Sequence, residues 1–299
     1  MKFGYLGLIV FISLVGMGLS KEYQPKFIIG MQHSNTYGIT YIVYGNKTSL
    51  LLEFTLTCKT LDNIFKGKQP TYNNKPVAIT LVCSPASYEV FQKGISRSKE
   101  LSSLIAKYQI KITVMTSPNS LPEGKMWRFY GQRYYAMAKY TMFLDLDAQP
   151  MSEFLSTFDY LTEEGYDIVV SMDKMKYGQS KKMGLSHHAG YIPLEKENEF
   201  LDFGERNGGV IVANMNSLAV LNFFTLENEI AQTYMHTHTH VGEQFAMRVA
   251  LFVATRMWKG PYRLEEKTLD WETEFCRSTI MKKSCLFDHN RHPHLVEIK

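Results

Sequence analysis

Short apolar runs alternate with longer amphipathic segments along the first half of the chain, and this alternation limits the folds that the chain can adopt. Runs rich in β-branched and aromatic residues predict strands at 39–45, 76–83 and 110–115. Apolar residues at helical spacing predict helices between them, at 48–65 and 88–108. Strands joined by helices pair in parallel through right-handed crossovers. The sequence therefore predicts an α/β fold with a mostly parallel central sheet.

The same pattern continues through the second half. Further strands are predicted around 140–144, at 167–172 and at 208–214, and further helices at 127–139, 154–163, 217–234 and 243–253. Glycines are expected to stop the first helix at Gly67 and to interrupt the second at Gly94. No linker rich in Pro, Gly or Ser divides the chain, so 39–299 is predicted to be one domain.

Two carboxylates, one residue apart, follow the apolar run 140–144. If the chain stays extended there, Asp145 and Asp147 share one face and Leu146 lies on the other. Pro150 is expected to end the strand. Ligands of parallel sheets bind beyond the carboxyl ends of the strands, where this pair would lie. Because paired carboxylates suit hard divalent cations such as Mg²⁺ or Mn²⁺, we predict a metal site here.

Two later motifs combine polar side chains with features of a binding site. Asn207-Gly208-Gly209 precedes an apolar strand, where glycines allow a ligand close to the backbone; the alternative is a plain turn. Glu243-Gln244 opens an apolar helix with groups that suit sugar hydroxyls. These two residues equally fit a first helical turn that is favoured by the helix dipole.

Histidines supply the remaining metal-ligand candidates. His289 follows a short apolar run and is our choice to complete the cation site, with His292 and His294 as local competitors. The alternating histidines of 236–240 would share one face of a strand and form a zinc site, but a loop between two helices is favoured there.

The first twenty residues read as a targeting segment. An apolar run at 3–19 follows Lys2 and is expected to be a cleaved signal peptide or a short type II anchor, with 21–38 as a stem or linker. Either reading sends the chain to the lumen of the ER or Golgi, membrane-anchored or secreted. The formal net charge of +4 is spread along the sequence, so no nucleic-acid partner is expected.

The four cysteines are compatible with a lumenal protein. Cys276 and Cys285 flank a short basic segment and could close a small loop, and Cys58 and Cys83 could form a second pair. Spacing alone does not choose among the three possible pairings, and Cys58 fits a buried free thiol nearly as well. In the lumen, Asn46 would be a glycosylation acceptor.

Taken together, the motifs resemble the glycogenin-like and galactosyltransferase-like families (glycosyltransferase family 8-like) of the GT-A fold. The likeness runs in order from about 39 to 294: the Leu144-Asp145-Leu146-Asp147 motif, the Asn-x-Gly-Val strand at 207–210, the acid-Gln pair at 243–244 and His289. It implies a Rossmann-like nucleotide-diphospho-sugar transferase fold, with a mixed, mostly parallel central sheet flanked by helices.

The resemblance also implies roles for the site residues. The end of the first strand would cradle the nucleotide through Val43, Tyr44 and Gly45. Arg128 or Arg133 would neutralise phosphate charge. Asp145, Asp147 and His289 would hold a cation, and Asp145 would also contact the ribose. The donor sugar would be contacted by Asn207, Gly208, Gly209, Glu243 and Gln244, with Asp173 as a weaker candidate.

The chain departs from the family pattern at three places. Glu243 replaces the usual Asp, and Leu146 replaces the usual Ala between the two aspartates. The family's Gly and Lys-Pro-Trp after the histidine are missing, and Arg291 is expected to replace the lysine at the phosphate.

The implied activity is the retaining transfer of a hexosyl group from a nucleotide-sugar, expected to be a UDP-sugar, with Mn²⁺ or Mg²⁺ as cofactor. The acceptor class stays open among glycans, proteins and lipids. Two other readings remain: a binding protein that keeps the fold without turnover, and a nucleotidyltransferase. The short Gly45-Asn46-Lys47-Thr48 segment gives little of the basic, glycine-rich loop that a nucleotidyltransferase would use.

Overall fold

The computed structural model describes residues 33–117, 121, 124–172, 191–204, 206–235, 243–270, 273–276 and 285–289. The predicted leader, most of the predicted stem, Asp173, the histidines of 236–240, Arg291, His292 and His294 lie outside these ranges. None of the helices in the described part of the chain has both the length and the apolar character that a membrane span requires.

One large mixed sheet organises the molecule. Its eight strands are β1 (Asn35–Val43), β2 (Thr71–Tyr72), β3 (Lys75–Cys83), β4 (Lys111–Val114), β5 (Ala138–Leu144), β7 (Ile168–Met172), β8 (Arg206–Asn214) and β9 (Glu266–Leu269). They are arranged in the order β2-β3-β1-β5-β8-β7-β9, and β4 also pairs with β3. The pairs β1–β3, β1–β5, β3–β4 and β7–β9 are parallel, whereas β8 runs antiparallel to both of its neighbours.

Helices cover both faces of the sheet. They are α1 (Ser49–Phe65), α2 (Pro85–Arg97), α3 (Lys99–Lys107), α4 (Met126–Tyr134), α5 (Asp159–Thr162), α6 (Glu197–Asp202), α7 (Leu218–Met235) and α8 (Glu243–Phe252), which continues as a π-helical turn over Val253–Met257. One apolar core joins α1, α2 and α3 to the sheet, and a second joins α7 and α8 to it. The predicted α/β class with a mostly parallel central sheet and flanking helices is therefore confirmed.

Two local predictions about the helices need correction or refinement. The predicted helix at 88–108 is two helices, and the break is at Ser98 rather than at Gly94. Ser98 ends α2 and begins α3, where its Oγ accepts a hydrogen bond from the Leu101 backbone N–H at 3.2 Å. Gly94 instead permits close packing of α2 on α1, because a Cβ there would overlap the Leu51 side chain.

A second, three-stranded sheet was not predicted. It consists of β6 (Ala148–Pro150), β10 (Phe275–Cys276) and β11 (Phe287–His289), in the order β10-β11-β6. Pro150 therefore lies in β6 and does not simply end the preceding strand. A Cys276–Cys285 disulfide links β10 to the residue that lies two positions before β11, so one of the two predicted pairs is present.

The other predicted cysteine pair is absent from the structure. Cys58 on α1 and Cys83 at the end of β3 are free thiols, both fully buried in the core. Burial disfavours the charged thiolate, and it raises the pKa of each thiol to about 12. The prediction that these two residues form a disulfide is wrong, and the alternative reading of Cys58 as a buried free thiol is confirmed.

The Cys58 and Cys83 thiols should not react with an aqueous thiol reagent at pH 8 while the protein is folded. Because the thiolate is the reactive form and both groups are buried, native protein should show almost no reaction, and unfolding in guanidinium should release two thiols per chain. The measurement is a colorimetric thiol titration with and without denaturant. Four reactive thiols after unfolding, or none, would contradict the cysteine assignment.

Candidate functional site

The carboxyl ends of six strands meet at one edge of the large sheet. Strands β1, β3, β4, β5, β7 and β9 share one direction, as their pairing with one another and with the antiparallel β8 requires. Gly45, Asp145 and Met172 therefore lie at or just beyond this edge, where β8 begins at Arg206. The topology brings the predicted site segments together from distant parts of the sequence.

The two predicted metal-binding carboxylates come from a turn. β5 ends at Leu144, and the Ala148 backbone N–H donates to the Asp145 carbonyl at 3.0 Å, which closes a turn over 145–148. Leu146 is buried in the core that contains α1, whereas Asp145 and Asp147 remain partly exposed. The carboxylates thus reach solvent from a tight connection between two sheets rather than from an extended strand.

Arg128 is the basic residue that the structure places beside Asp145. Its guanidinium Nη1 lies 3.1 Å from Asp145 Oδ2, and Nη2 donates to the Gly208 carbonyl. The Arg128 side chain is 7% exposed and the Asp145 side chain is 33% exposed. A cation this deeply buried needs its partners, so the contact fixes α4 to the end of β5 and the start of β8.

Gly208 has no room for a side chain. A Cβ at this position would stand 2.7 Å from Arg128 Nη2. The segment also departs from regular pairing: Val170 pairs with Ile211 but Ser171 pairs with Asn207, so 208–210 are left out of the ladder with β7. The Gly209 carbonyl instead accepts from the Asp145 backbone N–H at 2.9 Å. The two predicted motifs are therefore in direct contact.

Asn207 has a local role in this irregular segment. Its Oδ1 accepts from the Gly209 backbone N–H at 2.7 Å, and its carbonyl accepts from Ser171 Oγ at 2.8 Å. Arg206, the preceding residue, forms a buried ion pair with Glu266 of β9 at 2.5 Å. This ion pair was not predicted from the sequence, and it anchors the start of β8 to β9, the strand at the end of the sheet order.

Arg133 occupies a different environment from Arg128. It is buried, and its Nε donates to Thr225 Oγ1 of α7 at 2.8 Å while its guanidinium stacks 4.9 Å from the Tyr134 ring centroid. Of the two predicted phosphate contacts, Arg128 is thus the one that the structure ties to the aspartate turn.

The loop after β1 lies beside an aromatic cluster that sequence reasoning missed. Tyr44 packs on a core of Val82, Met115 and Trp127, together with Tyr130 and Tyr135 of the α4 region. Gly45 has a φ of 88°, in the left-handed region that glycine adopts without strain. The Val43 carbonyl accepts from the Ser84 backbone N–H at 2.9 Å, which holds this loop against the start of α2.

For the predicted site residues His289, Glu243 and Gln244, the structure gives the position of the backbone. His289 pairs with Ala148 in the register of β11 and β6, which brings it next to the residue that follows Asp147. Glu243 and Gln244 begin α8, and Met247, one turn later, lines a small space with Arg128, Gly208 and the buried Glu227. Within the described ranges no cluster of three metal-ligating side chains is present, and the His289 side chain lies outside them.

A groove adjoins the aspartate turn on the side of α1. It has a volume of about 310 Å³, and its lining residues are Glu53, Leu56, Lys59, Thr60, Asn63, Leu146, Asp147 and Gln149. The α1 residues among them recur at roughly helical spacing, a pattern that predicts only the solvent-facing side of a helix. For that reason they were not predicted.

Comparisons with known proteins agree with this architecture. No protein-family model matches the sequence, and a comparison with curated proteins gives no significant match. Solved structures do match. Galactosyltransferase LgtC, in complex with donor and acceptor sugar analogues, is 11% identical over 86% of this chain and 87% of its own, with a TM-score of 0.50.

Two further structures are similar to the same degree. An active-site variant of LgtC is 10% identical, covers 86% of this chain and 88% of its own, and has a TM-score of 0.52. The bifunctional glycosyltransferase WbbM is 11% identical over 87% of this chain and 46% of its own, with a TM-score of 0.50. At such low identity the likeness establishes the fold: this chain has the GT-A fold of nucleotide-sugar glycosyltransferases.

A double-mutant cycle should separate the two arginines. Arg128→Met and Asp145→Asn should show a coupling of about 0.5–3 kcal/mol in the free energy of unfolding, because the two side chains are in contact. Arg133→Met and Asp145→Asn serve as the matched cycle, which should couple by less than about 0.5 kcal/mol. The measurement is urea unfolding of all variants. Equal coupling in the two cycles would contradict the assignment of Arg128 to the turn.

Proposed function

We propose that this protein is a metal-dependent glycosyltransferase that moves a hexosyl group from a nucleotide-diphosphate donor, a UDP-sugar, to a glycan, protein or lipid acceptor. The observation that carries the proposal is the Asp145–Asp147 turn, which lies at the carboxyl edge of a GT-A sheet in contact with the buried Arg128. This is the edge at which open α/β sheets bind their ligands.

The residues of the turn fit a hard divalent cation. Asp145 and Asp147 offer carboxylate oxygens, the ligands that Mg²⁺ and Mn²⁺ prefer, and both are partly exposed. The register of β11 brings the backbone of His289 beside the same turn. We assign the cation to these three residues. When bound, it would stabilise negative charge on the departing diphosphate.

The protein's own groups would position the donor around this centre. Arg128 holds the Asp145 carboxylate in place through its 3.1 Å contact and adds positive charge near the diphosphate. Gly208 leaves space for the Arg128 guanidinium, because a Cβ at this position would stand 2.7 Å from Nη2, and it therefore supports the donor site through that arginine. Contacts to the donor sugar are assigned to Asn207, Glu243 and Gln244, and Arg291 to the phosphates.

The reaction forms one bond and breaks one. An acceptor hydroxyl oxygen bonds to the anomeric carbon of the donor, and the bond from that carbon to the diphosphate oxygen breaks. The nucleoside diphosphate leaves with the electron pair, and the hydroxyl proton ends on the released diphosphate or in bulk water. We assign retention of anomeric configuration to this transfer on the basis of the family resemblance.

We place the protein in the secretory pathway, in the lumen of the ER or Golgi. The Cys276–Cys285 disulfide supports this location because disulfides persist in oxidising compartments. The apolar composition of 3–19 supports membrane attachment or secretion through the same route. Asn46 is exposed, as a glycosylation acceptor would be.

Nucleotide release from a panel of UDP- and GDP-sugars would test the proposal. The full chain should release nucleoside diphosphate in the presence of Mn²⁺, and Asp147→Ala should reduce the rate by about 100-fold or more, because a ligand of the charge-stabilising centre is lost. Glu164→Ala is the matched control, since this exposed carboxylate precedes β7 at the opposite edge of the sheet.

The other outcomes separate the remaining readings. Mn²⁺-dependent nucleotide binding without turnover in any acceptor mixture would indicate a binding protein. Incorporation of the nucleotide itself into product would indicate a nucleotidyltransferase. If neither binding nor turnover occurs, or if Asp147→Ala is as active as the wild type, the metal assignment to the aspartate turn is wrong.

The disulfide should matter for both stability and metal-dependent binding. Cys276→Ser combined with Cys285→Ser should lower the free energy of unfolding by about 2–4 kcal/mol. Because β11 pairs with β6 directly after Asp147, nucleotide affinity in Mn²⁺ should also fall. Calorimetric binding of UDP below the melting temperature of both proteins is the measurement. Lower stability with unchanged affinity would show that β11 does not support the site.

A further inference from the structure

The groove between α1 and the aspartate turn has the size of a small-molecule site. Its volume of about 310 Å³ lies at the lower end of the roughly 300–1,000 Å³ that such sites occupy. One wall is α1, which contributes Glu53, Leu56 and Asn63. The other wall is the segment 146–149, which includes Asp147. A ligand in this groove would therefore lie next to a proposed metal ligand.

The floor of the groove is held together by a partly buried hydrogen-bond network. Thr57 Oγ1 lies 3.0 Å from the Glu53 carbonyl and 3.3 Å from the Leu146 carbonyl, and Gln149 Nε2 donates to Thr57 Oγ1 at 3.2 Å and to the Leu146 carbonyl at 2.6 Å. Both walls are thus fixed before any ligand arrives. Gln149 Oε1 is shielded from solvent and has no hydrogen-bond partner among the described residues, which marks an unmet acceptor beside the groove.

The chemistry of the lining indicates a carbohydrate. Carboxylate, hydroxyl and amide groups of Glu53, Thr60 and Asn63 match sugar hydroxyls, which both donate and accept hydrogen bonds. Leu56 and Leu146 offer two apolar contacts, enough for the face of a sugar ring but few for a lipid chain.

The charges of the lining narrow the class of sugar. Two carboxylates, Glu53 and Asp147, line the groove with one ammonium group, and Lys59 Nζ lies 3.0 Å from Glu100 Oε1 on α3. The one cation of the described lining is thus engaged with a carboxylate of α3, so this lining provides no positive group dedicated to the carboxylate of an acidic sugar.

We propose that the α1 groove binds a neutral oligosaccharide and presents it as the acceptor to the donor site at Asp147. This inference rests on the proposed transferase function and specifies its acceptor as a glycan rather than a protein or lipid.

A glycan array with neutral and sialylated oligosaccharides tests the groove directly. Labelled full-length protein should bind neutral members, and Asn63→Trp should reduce the signal by about tenfold or more, because the indole fills the groove. Lys93→Trp adds the same side chain at an exposed position of α2 and should bind like the wild type. Melting temperatures of both variants, measured alongside, should match that of the wild type.

Donor turnover in water, measured on the same three proteins, keeps the two proposals apart. Unchanged hydrolysis of the nucleotide-sugar in Asn63→Trp, with lost glycan binding, supports an acceptor groove distinct from the donor site. If Asn63→Trp blocks glycan binding but none of the proteins turns over the donor, the result would support glycan binding in the groove and contradict the transferase function. The groove proposal is overturned if wild-type protein binds no neutral glycan, prefers sialylated ones, or binds equally well after Asn63→Trp.

Discussion

The contact between Arg128 and Asp145 holds the candidate site together. A guanidinium that is almost fully buried is stable only where fixed acceptors surround it, and here they are the Asp145 carboxylate and the Gly208 carbonyl. The contact therefore ties together a helix, the exit of a parallel strand and the entry of an antiparallel one. The contact lies where 208–210 leave the ladder with β7, and the Gly208 carbonyl of this segment is the one that accepts from the arginine.

The parts of the fold that follow from local patterning could be predicted from the sequence. The buried strand expected at 76–83 is found at Lys75–Cys83, and the helix expected at 217–234 is found at Leu218–Met235. The two-residue period of a strand and the 3.6-residue period of a helix involve only residues close in sequence, so each element can be predicted from its own segment. The parallel pairing of β1 with β3 and β5 follows from the helical connections between them.

The remaining features depend on contacts between distant segments. Nothing within β8 encodes its antiparallel direction, and the two- and three-residue strands of the second sheet are too short to show a period. Gly94 was misread because a glycine that serves helix packing looks like a helix breaker until Leu51 is seen against it. Arg128 and Arg133 lie on one short helix, and only their surroundings in the fold distinguish them.

The placement of the cysteines has a consequence for how the chain folds. Cys276 and Cys285 are nine positions apart and close a short loop, whereas either of them would have to meet Cys58 or Cys83 across most of the sequence. Once α1 and β3 have packed, the two core thiols are shielded from any oxidant. Among the possible pairings of the four cysteines, the native crosslink closes the shortest loop, which is the pairing that costs the least chain entropy to form.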